Sequence, residues 1–405
     1  MKRNSSLHVL LLAAWGTYMT AYLCRVNLST VLDKLSAGLG VSVEYLGLAS
    51  SLYFVTYAVG QLLNGAIGDR VNPCRFLMLA LSLTGGVNLI LAFQTSGALF
   101  TALWGLNGFC QSMFWSTLLR LLSFHAREDQ RKNVSTIMST CSVTGYLLSW
   151  VVLSWLFRPL DFRPYFLVPA LALIPVWFLL SRRIPYEGGR GAQPAAPPLP
   201  QIAREFVQDR LFFICLLCLL VGAIQEGAVF WLPMIFTGVL DLGENSLLLL
   251  VLIPLAKLAG VFLARETLSR LGDDARRAMR VMLSLACGTA ACLVLTAGST
   301  SFVTVLLIAA LIAVVNAGNW YMISYLPLYF SGRGMVATLV GVFDFSTYIG
   351  ASLMSGALGG LLNRAGWIAL PAAWLGLAAL GLLLALTGAG GCLARKGAQR
   401  AKNRS

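Results

Sequence analysis

Long apolar stretches alternate with short polar joints along the whole chain. Each stretch has about 20 mostly apolar residues, the number that an α-helix needs to cross ~30 Å of hydrocarbon. A segment inside lipid must pair its own backbone groups, so these stretches are predicted to be helices. The pattern predicts twelve membrane spans, at 7–28, 44–68, 75–94, 97–122, 134–157, 165–182, 211–236, 245–264, 280–297, 301–329, 336–362 and 367–390.

Composition supports a membrane protein. The chain is 58% hydrophobic and 11% charged, with a mean hydropathy of +0.77, whereas ordinary soluble domains are about 45–50% apolar. The predicted fold class is therefore an all-α polytopic membrane protein. Lys2 and Arg3 precede an apolar run from Leu7, as in a secretory signal, but the run continues past Ala21 without a small-residue cleavage site and is predicted to be the first span.

The net charge of +14 is explained better by membrane topology than by nucleic-acid binding, because the basic residues lie in the joints between apolar segments. With a cytoplasmic N-terminus, the outer joints hold only Lys34, Arg158, Arg163 and Arg364 of the 30 Lys and Arg. Cytoplasmic loops are enriched in these residues. We therefore predict two cytoplasmic termini, a bacterial inner (cytoplasmic) membrane location and no nucleic-acid partner.

A Gly- and Pro-rich segment interrupts the chain after the sixth predicted span. Such composition is typical of a flexible linker. It divides the chain into an N-terminal six-helix bundle at 1–182, a cytoplasmic linker at 183–210, and a C-terminal six-helix bundle with a cytoplasmic tail at 211–405. A basic joint follows the second span of each half, which indicates parallel repeats and alternating access.

The joint after the second span reads Gly65-Ala-Ile-Gly-Asp69-Arg70, with Arg75 five residues further on. It resembles the G-x3-D-R signature of the major facilitator superfamily, where this joint forms a cytoplasmic latch. The resemblance implies that Gly65, Asp69, Arg70 and Arg75 form a gate, to which Arg120 belongs unless it caps backbone carbonyls. The alternative is an ordinary turn that carries positive-inside charge.

Further motifs resemble the organophosphate:phosphate antiporter family, which includes bacterial glycerol-3-phosphate and hexose-phosphate transporters. They are Tyr22-Leu-Cys-Arg25-Val-Asn27, Gln111-x3-Trp115-x4-Arg120, Gly227-x3-Trp231-x-Pro233 and Gly341-x2-Asp344-Phe345-x2-Tyr348. The resemblance implies the twelve-helix major facilitator fold and a monomer.

The chain also departs from that family, which holds a phosphate group with two arginines and a nearby histidine. Arg25 fits the first arginine, whereas Gln225 and Ser142 take the places of the second arginine and the histidine. Glu226 would oppose a phosphoryl group, which is best matched by paired guanidinium groups. The resemblance therefore implies that this chain shares the family's fold and the position of Arg25. It does not imply that the chain shares the family's specificity for phosphate esters.

Apart from residues within two positions of a span end, four charged residues fall inside predicted spans: Arg25, Glu226, Lys257 and Asp344. A charge at membrane depth costs about 2.5 kcal/mol or more, so such residues face the bundle interior and mark transport pathways. We predict that Arg25 anchors the substrate and that Glu226 or Asp344 carries a coupling proton. The alternative is structural ion pairing of Arg25 with Asp344 and of Lys257 with Glu226.

Polar and aromatic residues recur at helical spacing in several spans, which predicts a polar interior face. Interfacial aromatics and helix–helix hydrogen bonds are the alternative reading. The predicted substrate-binding residues are Tyr22, Arg25, Tyr57, Gln61, Gln111, Trp115, Gln225, Trp231, Asn319 and Tyr348.

The predicted function is a secondary active transporter that moves a small organic anion or zwitterion by alternating access, through exchange with a counter-anion or coupling to H+. The sequence has no G-x4-G-K-[ST] motif for ATP. Efflux of lipophilic cations by proton antiport is the alternative, which Glu226 and Asp344 permit and Arg25 opposes. A ligand sensor that does not transport is a further alternative, and it would need a surface on which a partner protein docks.

The sequence shows no nucleophile–base pair that would indicate an enzyme. We predict no cofactor. We also predict no metal site, because Cys215 and Cys218 lie in an apolar span.

Overall fold

The structure is a computed structural model of the protein. It describes residues 2–183, 196–227, 232, 251–297 and 302–387. The chain divides into two compact units, one of Met1–Pro197 and Pro327–Phe345 and the other of Pro198–Leu326 and Ser346–Ser405. Each predicted span overlaps a helix in the described residues, and the predicted all-α fold is confirmed.

The first unit is built on eight helices from the N-terminal part of the chain. They are α1 (Lys2–Thr30), α2 (Leu32–Leu39), α3 (Val43–Gly68), α4 (Pro73–Ala92), α5 (Gly97–His125), α6 (Arg131–Leu147), α7 (Ser154–Leu156) and α8 (Pro164–Arg183), with a π-helical segment, Leu148–Leu153, between α6 and α7.

The described helices that begin after the linker are α9 (Leu199–Gln208), α10 (Leu211–Gln225), α11 (Leu252–Arg270), α12 (Ala275–Leu295), α13 (Phe302–Asn319), α14 (Val336–Ala365) and α15 (Ala369–Thr387). A π-helical segment, Trp320–Tyr325, and a 3-10 segment, Leu326–Arg333, lie between α13 and α14. The first ten residues of α14 belong to the first unit and the remainder to the second.

Side-chain caps define where several helices begin. A polar side chain before the first turn accepts one of the backbone N–H groups that a helix leaves without a partner. Asn72 does so for Arg75 in α4, where Pro73 is also the first helical residue. Ser42, Ser96 and Asp274 cap α3, α5 and α12 in the same way.

The distribution of polar residues is the reverse of that in a soluble protein. Large apolar side chains such as Leu12, Leu48, Phe178 and Leu353 are exposed. Amide side chains are buried instead, and Asn88 joins three helices by accepting from Asn27 at 3.0 Å and donating to Asn107 at 3.0 Å. An apolar exterior with an internally bonded polar interior suits a lipid environment.

Eight helices in the described residues are long and apolar enough to cross a membrane, and nine if a pair bent by 80°, Pro200–Gln208 with Leu211–Gln225, counts as one span. Helix α5 has 29 residues but is not among them. Its buried polar residues, including Asn107, Gln111 and Arg120, lower its hydropathy.

Predicted boundaries differ from the helices in several places, including the ends of α1 and α11 and the span predicted at 134–157. Helix α1 begins at Lys2 rather than at 7, because a helix continues beyond the apolar core of its span. Helix α11 continues past 264 to Arg270 for the same reason. The predicted span at 134–157 is regular only to Leu147, where the π-helical segment begins. Residues 184–195 of the predicted linker and 237–250 lie outside the described residues.

Candidate functional site

Arg25 of α1 lies among aromatic rings in the first unit. Its guanidinium carbon is 4.4 Å from the ring centroid of Tyr57, 5.1 Å from that of Tyr22 and 5.8 Å from that of Tyr53. Arg25 is 8% exposed. A guanidinium group is attracted to the negative faces of aromatic rings, and this attraction is strongest where water is excluded. The tyrosines therefore stabilise a cation at membrane depth.

Gln61 connects this cation to a carboxylate. Its Nε2 donates to the hydroxyl of Tyr57 at 2.7 Å and to Oδ2 of Asp344 at 2.9 Å. Gln61 is fully buried and Asp344 is 6% exposed. Helices α1, α3 and α14 thus bring one positive and one negative side chain of the first unit to the same aromatic cluster. We call Arg25, Tyr22, Tyr53, Tyr57, Gln61 and Asp344 the Arg25 cluster.

The aromatic surroundings extend along two paths from the Arg25 cluster. Tyr22 contacts Tyr18 at a centroid distance of 5.2 Å, and Tyr18 contacts Trp115 of α5 at 4.9 Å. Tyr22 also contacts Tyr146 at 5.4 Å, which contacts Trp150 at 5.0 Å. Tyr146 and Trp150 were not predicted as site residues, although their i, i+4 spacing is the signal used for the other spans.

Three buried polar atoms in this region have no hydrogen-bond partner among the described residues: the Tyr53 hydroxyl, Oε1 of Gln61 and Nε1 of Trp115. Their residues are at most 6% exposed. A buried polar atom without a partner is costly. Gln111, in contrast, donates to the Ala21 carbonyl at 3.0 Å, a helix–helix contact.

The second unit holds a separate ion pair. Nζ of Lys257, on α11, lies 2.6 Å from Oε1 of Glu226, which follows α10. Gln225 donates to Glu226 at 2.9 Å and to Asn316 of α13 at 3.0 Å, and Asn316 donates to the Lys257 carbonyl at 2.7 Å. The side chains of Lys257 and Glu226 are 9% and 14% exposed. The structural pairing of these two residues, left open by the sequence, is thus present.

The remaining predicted binding residues are distributed in the second unit. Asn319 ends α13, and its Oδ1 has no partner among the described residues, as is the case for Oε1 of Gln225. Tyr348 is a buried residue of α14. Trp231 lies outside the described residues.

Asp69 follows the last residue of α3 and meets the first turn of α14. Its Oδ1 accepts from the backbone N–H of Ala337 at 3.0 Å, and its Oδ2 accepts from that of Thr338 at 2.7 Å. These N–H groups lie at a helix N-terminus, where they have no intrahelical partner and the helix dipole favours negative charge. Nε of Arg120 lies 3.6 Å from Oδ1 of Asp69. Burial raises the pKa of the Asp69 carboxyl, while the hydrogen bonds from Thr338 and Ala337 and the charge of Arg120 oppose that rise.

The other predicted gate residues take different positions. Nη1 of Arg120 donates to the carbonyls of Gly68 and Val71, so this residue both caps backbone carbonyls and pairs with Asp69. Arg70 donates to the carbonyl of Pro197 at 3.2 Å. Arg75 has an exposed side chain in the first turn of α4.

Gly65 explains how α3 and α14 come so close within the first unit. A Cβ atom at this position would lie 2.7 Å from the Ala337 carbonyl oxygen and 2.9 Å from the Cα of Gly341. Two glycines facing each other permit this approach.

A multi-pass helical membrane protein with buried charges inside its spans is the class that this fold and these sites define. The model of the Major Facilitator Superfamily matches residues 14–355, and the chain belongs to this superfamily. The predicted membership and the prediction that the chain is not an enzyme are thereby confirmed.

Curated relatives support the resemblance to the organophosphate:phosphate antiporter family. A probable hexose phosphate transport protein of Chlamydia pneumoniae is 26% identical over 41% of this chain and 37% of its own length. The membrane sensor protein UhpC of Salmonella typhimurium is 27% identical over 43% of this chain and 40% of its own. These matches therefore cover well under half of either relative. A phosphoglycerate transporter protein of S. typhimurium is 22% identical over 88% of this chain and 83% of its own.

Solved structures show the same fold at low sequence identity. A bacterial homologue of the iron transporter ferroportin, in an outward-facing state, superposes with a TM-score of 0.75 at 14% identity, covering 94% of this chain and 98% of that chain. At this identity the likeness concerns the fold alone.

Proposed function

We propose that the protein is a secondary active transporter that moves a small organic anion by alternating access, with Arg25 as the anchor of the anionic group. The observation that supports this most is the position of Arg25, a buried cation in a membrane span, surrounded by three tyrosines. Holding a cation at this depth is costly. Charged residues at this depth usually mark the transport pathway, and a guanidinium fork matches an anionic group.

The two acids of the spans have different surroundings. In the first unit Asp344 accepts from Gln61, and in the second unit Glu226 lies 2.6 Å from Lys257. Proton uptake by Asp344 would change the charge of the cluster that holds the proposed anchor, Arg25. Asp344 is therefore our candidate for the coupling residue, and Glu226 is assigned to the pair with Lys257.

The Asp69 joint is proposed as the cytoplasmic gate. Its bonds to the N-terminus of α14 must break for these elements to separate, and a carboxylate on free N–H groups can re-form them at every cycle. We also propose, from the basic joints, that both termini face the cytoplasm and that the chain resides in a bacterial inner membrane as a monomer.

Efflux of lipophilic cations is the competing function. The Arg25 cluster provides aromatic faces and the acid Asp344, which suit a cation, but Arg25 itself would repel one. The same experiment tests both functions.

The experiment measures uptake and binding with purified protein. Thermal shift in detergent is recorded against sugar phosphates, inorganic phosphate, carboxylates, amino acids and lipophilic cations, because a ligand at 100 times its Kd stabilises the native state by about 2.7 kcal/mol. The best ligand is then tested in proteoliposome counterflow with Arg25→Ala, with Arg25→Lys, which keeps the charge but loses the planar fork, and with Arg163→Ala as a control at an exposed arginine.

Loss of binding and counterflow in Arg25→Ala alone, with unchanged melting of the unliganded protein, is the expected result. Stabilisation only by lipophilic cations, with Arg25→Ala indifferent, would replace this proposal by the efflux function.

A further inference from the structure

Three tyrosine rings lie beside Arg25 in the part of the chain that the structure describes. Its guanidinium carbon is within 5.8 Å of three tyrosine centroids. Tyr22 continues into Tyr18 and Trp115 on one side and into Tyr146 on the other. Such rings offer flat apolar faces and edges, with which another aromatic ring interacts beyond simple burial of area.

The charge of the Arg25 cluster limits the charge of its ligand. Arg25 lies over the Tyr57 ring and Asp344 accepts from Gln61, so the cluster is neutral when both residues are charged. It becomes singly positive when Asp344 takes up a proton. Neither state neutralises a group with two negative charges, such as a phosphate monoester, for which paired guanidinium groups are the suitable partners.

Few buried polar atoms in this region have no partner among the described residues. They are the hydroxyl of Tyr53 and Oε1 of Gln61 in the Arg25 cluster, and Nε1 of Trp115, which contacts Tyr18. A sugar carries a hydroxyl on most carbons, and a buried hydroxyl without a partner is costly. A flat unsaturated skeleton requires no such partners along its faces.

These three observations combine in one inference, which rests on the proposed function. The geometry points to a planar aromatic monocarboxylate as the transported class, with its carboxylate on Arg25 and its ring among the tyrosines. A carboxylate is a planar acceptor with two oxygens, the shape that the guanidinium fork binds bidentately.

Four probes separate the contributions of the ring, the charge and the hydroxyls. Benzoate has the ring and one charge; cyclohexanecarboxylate has the same charge on a puckered saturated ring; phenyl phosphate has the ring and nearly two charges; glucose 6-phosphate has the hydroxyls. Affinities are measured by titration calorimetry and by competition in counterflow. Benzoate is expected to bind about three- to tenfold more tightly than cyclohexanecarboxylate, and at least about tenfold more tightly than either phosphate.

Tyr22 supplies the matched variants. Tyr22→Phe keeps the ring and is expected to preserve the ratio of benzoate to cyclohexanecarboxylate affinity, whereas Tyr22→Leu should bring that ratio close to one. This ratio is insensitive to a general loss of folded protein, because both ligands are measured on the same sample.

The outcomes distinguish this inference from the proposed function. If glucose 6-phosphate or cyclohexanecarboxylate binds as tightly as benzoate and Arg25→Ala abolishes that binding, the anion carrier stands and the aromatic monocarboxylate class is wrong. If Arg25→Ala binds every anion as the wild type does, the proposed function fails with it.

Discussion

Gln61 and Asp344 are joined by a hydrogen bond of 2.9 Å, and the same amide nitrogen of Gln61 also donates to Tyr57 at 2.7 Å. The neutral side chain of Gln61 therefore links the Asp344 carboxylate of α14 to the Tyr57 ring, which lies against Arg25. We expect a change in the charge of Asp344 to alter its hydrogen bond with Gln61 and, through Gln61, the contact with Tyr57.

The first prediction concerns this carboxylate. Asp344→Asn should leave counterflow exchange intact but stop uptake driven by a pH gradient, because an amide at this position no longer takes up and releases a proton. The measurement compares exchange with gradient-driven uptake in proteoliposomes. Glu226→Gln is the comparison in the second unit, and wild-type pH dependence in both variants would contradict coupling by either acid.

The second prediction concerns the ion pair of Lys257 and Glu226. Lys257→Met should lower the free energy of unfolding by about 3–5 kcal/mol, because it leaves Glu226, whose side chain is only 14% exposed, without its cation. The double variant Lys257→Met with Glu226→Gln should recover most of that loss. Arg270→Met breaks an exposed ion pair with Glu266 and is the control, for which no measurable shift in Tm is expected. Equal melting of the single and double Lys257 variants would show that the pair is not coupled.

The third prediction concerns the close approach of α3 and α14. Gly65→Ala should destabilise the protein by about 1–3 kcal/mol, because the added Cβ would lie 2.7 Å from a backbone oxygen that cannot rotate away. Gly86→Ala in α4 has no atom within 4 Å of the added Cβ and should stabilise the protein by up to about 1 kcal/mol. Thermal melting in one detergent checks both, and a stabilising Gly65→Ala would rule out the tight contact.

The fourth prediction uses the pKa of Asp69, which burial raises above its ordinary value. A carboxyl whose folded pKa is raised contributes stability that is fully present below the unfolded pKa and is lost as the pH rises through the folded pKa. The Tm of the wild type minus that of Asp69→Asn should therefore be largest near pH 4 and decline as the pH rises. A difference that grows with pH would mean that the bonds from Ala337, Thr338 and Arg120 outweigh burial.

The fold was predictable because the thickness of the bilayer sets the length of a spanning helix, so mostly apolar stretches of about 20 residues define the spans. This length identifies even α5, which is too polar to pass a test of hydropathy. What the apolar pattern does not encode is the local geometry at their ends. The change to a π-helical segment after Leu147 is one example.

The sequence predicted which residues form the candidate sites better than it predicted which groups those residues contact. Helical spacing placed Tyr57 and Gln61 on one face, and the cost of buried charge selected Arg25 and Asp344. The partners of Asp69 are backbone N–H groups of Ala337 and Thr338. Every residue except proline has such a group, so only the position of the α14 N-terminus selects these two.

Helix α5 has a consequence for how the chain enters the membrane. Its 29 residues carry polar side chains that are satisfied only after neighbouring helices have assembled around them, as Asn107 is by Asn88 and by the carbonyl of Cys24. A segment of this kind is inserted weakly by itself, because each polar group at the bilayer centre opposes partitioning. We therefore expect α5 to enter the membrane together with α4, as a hairpin, so that this helix depends on an apolar neighbour for its insertion.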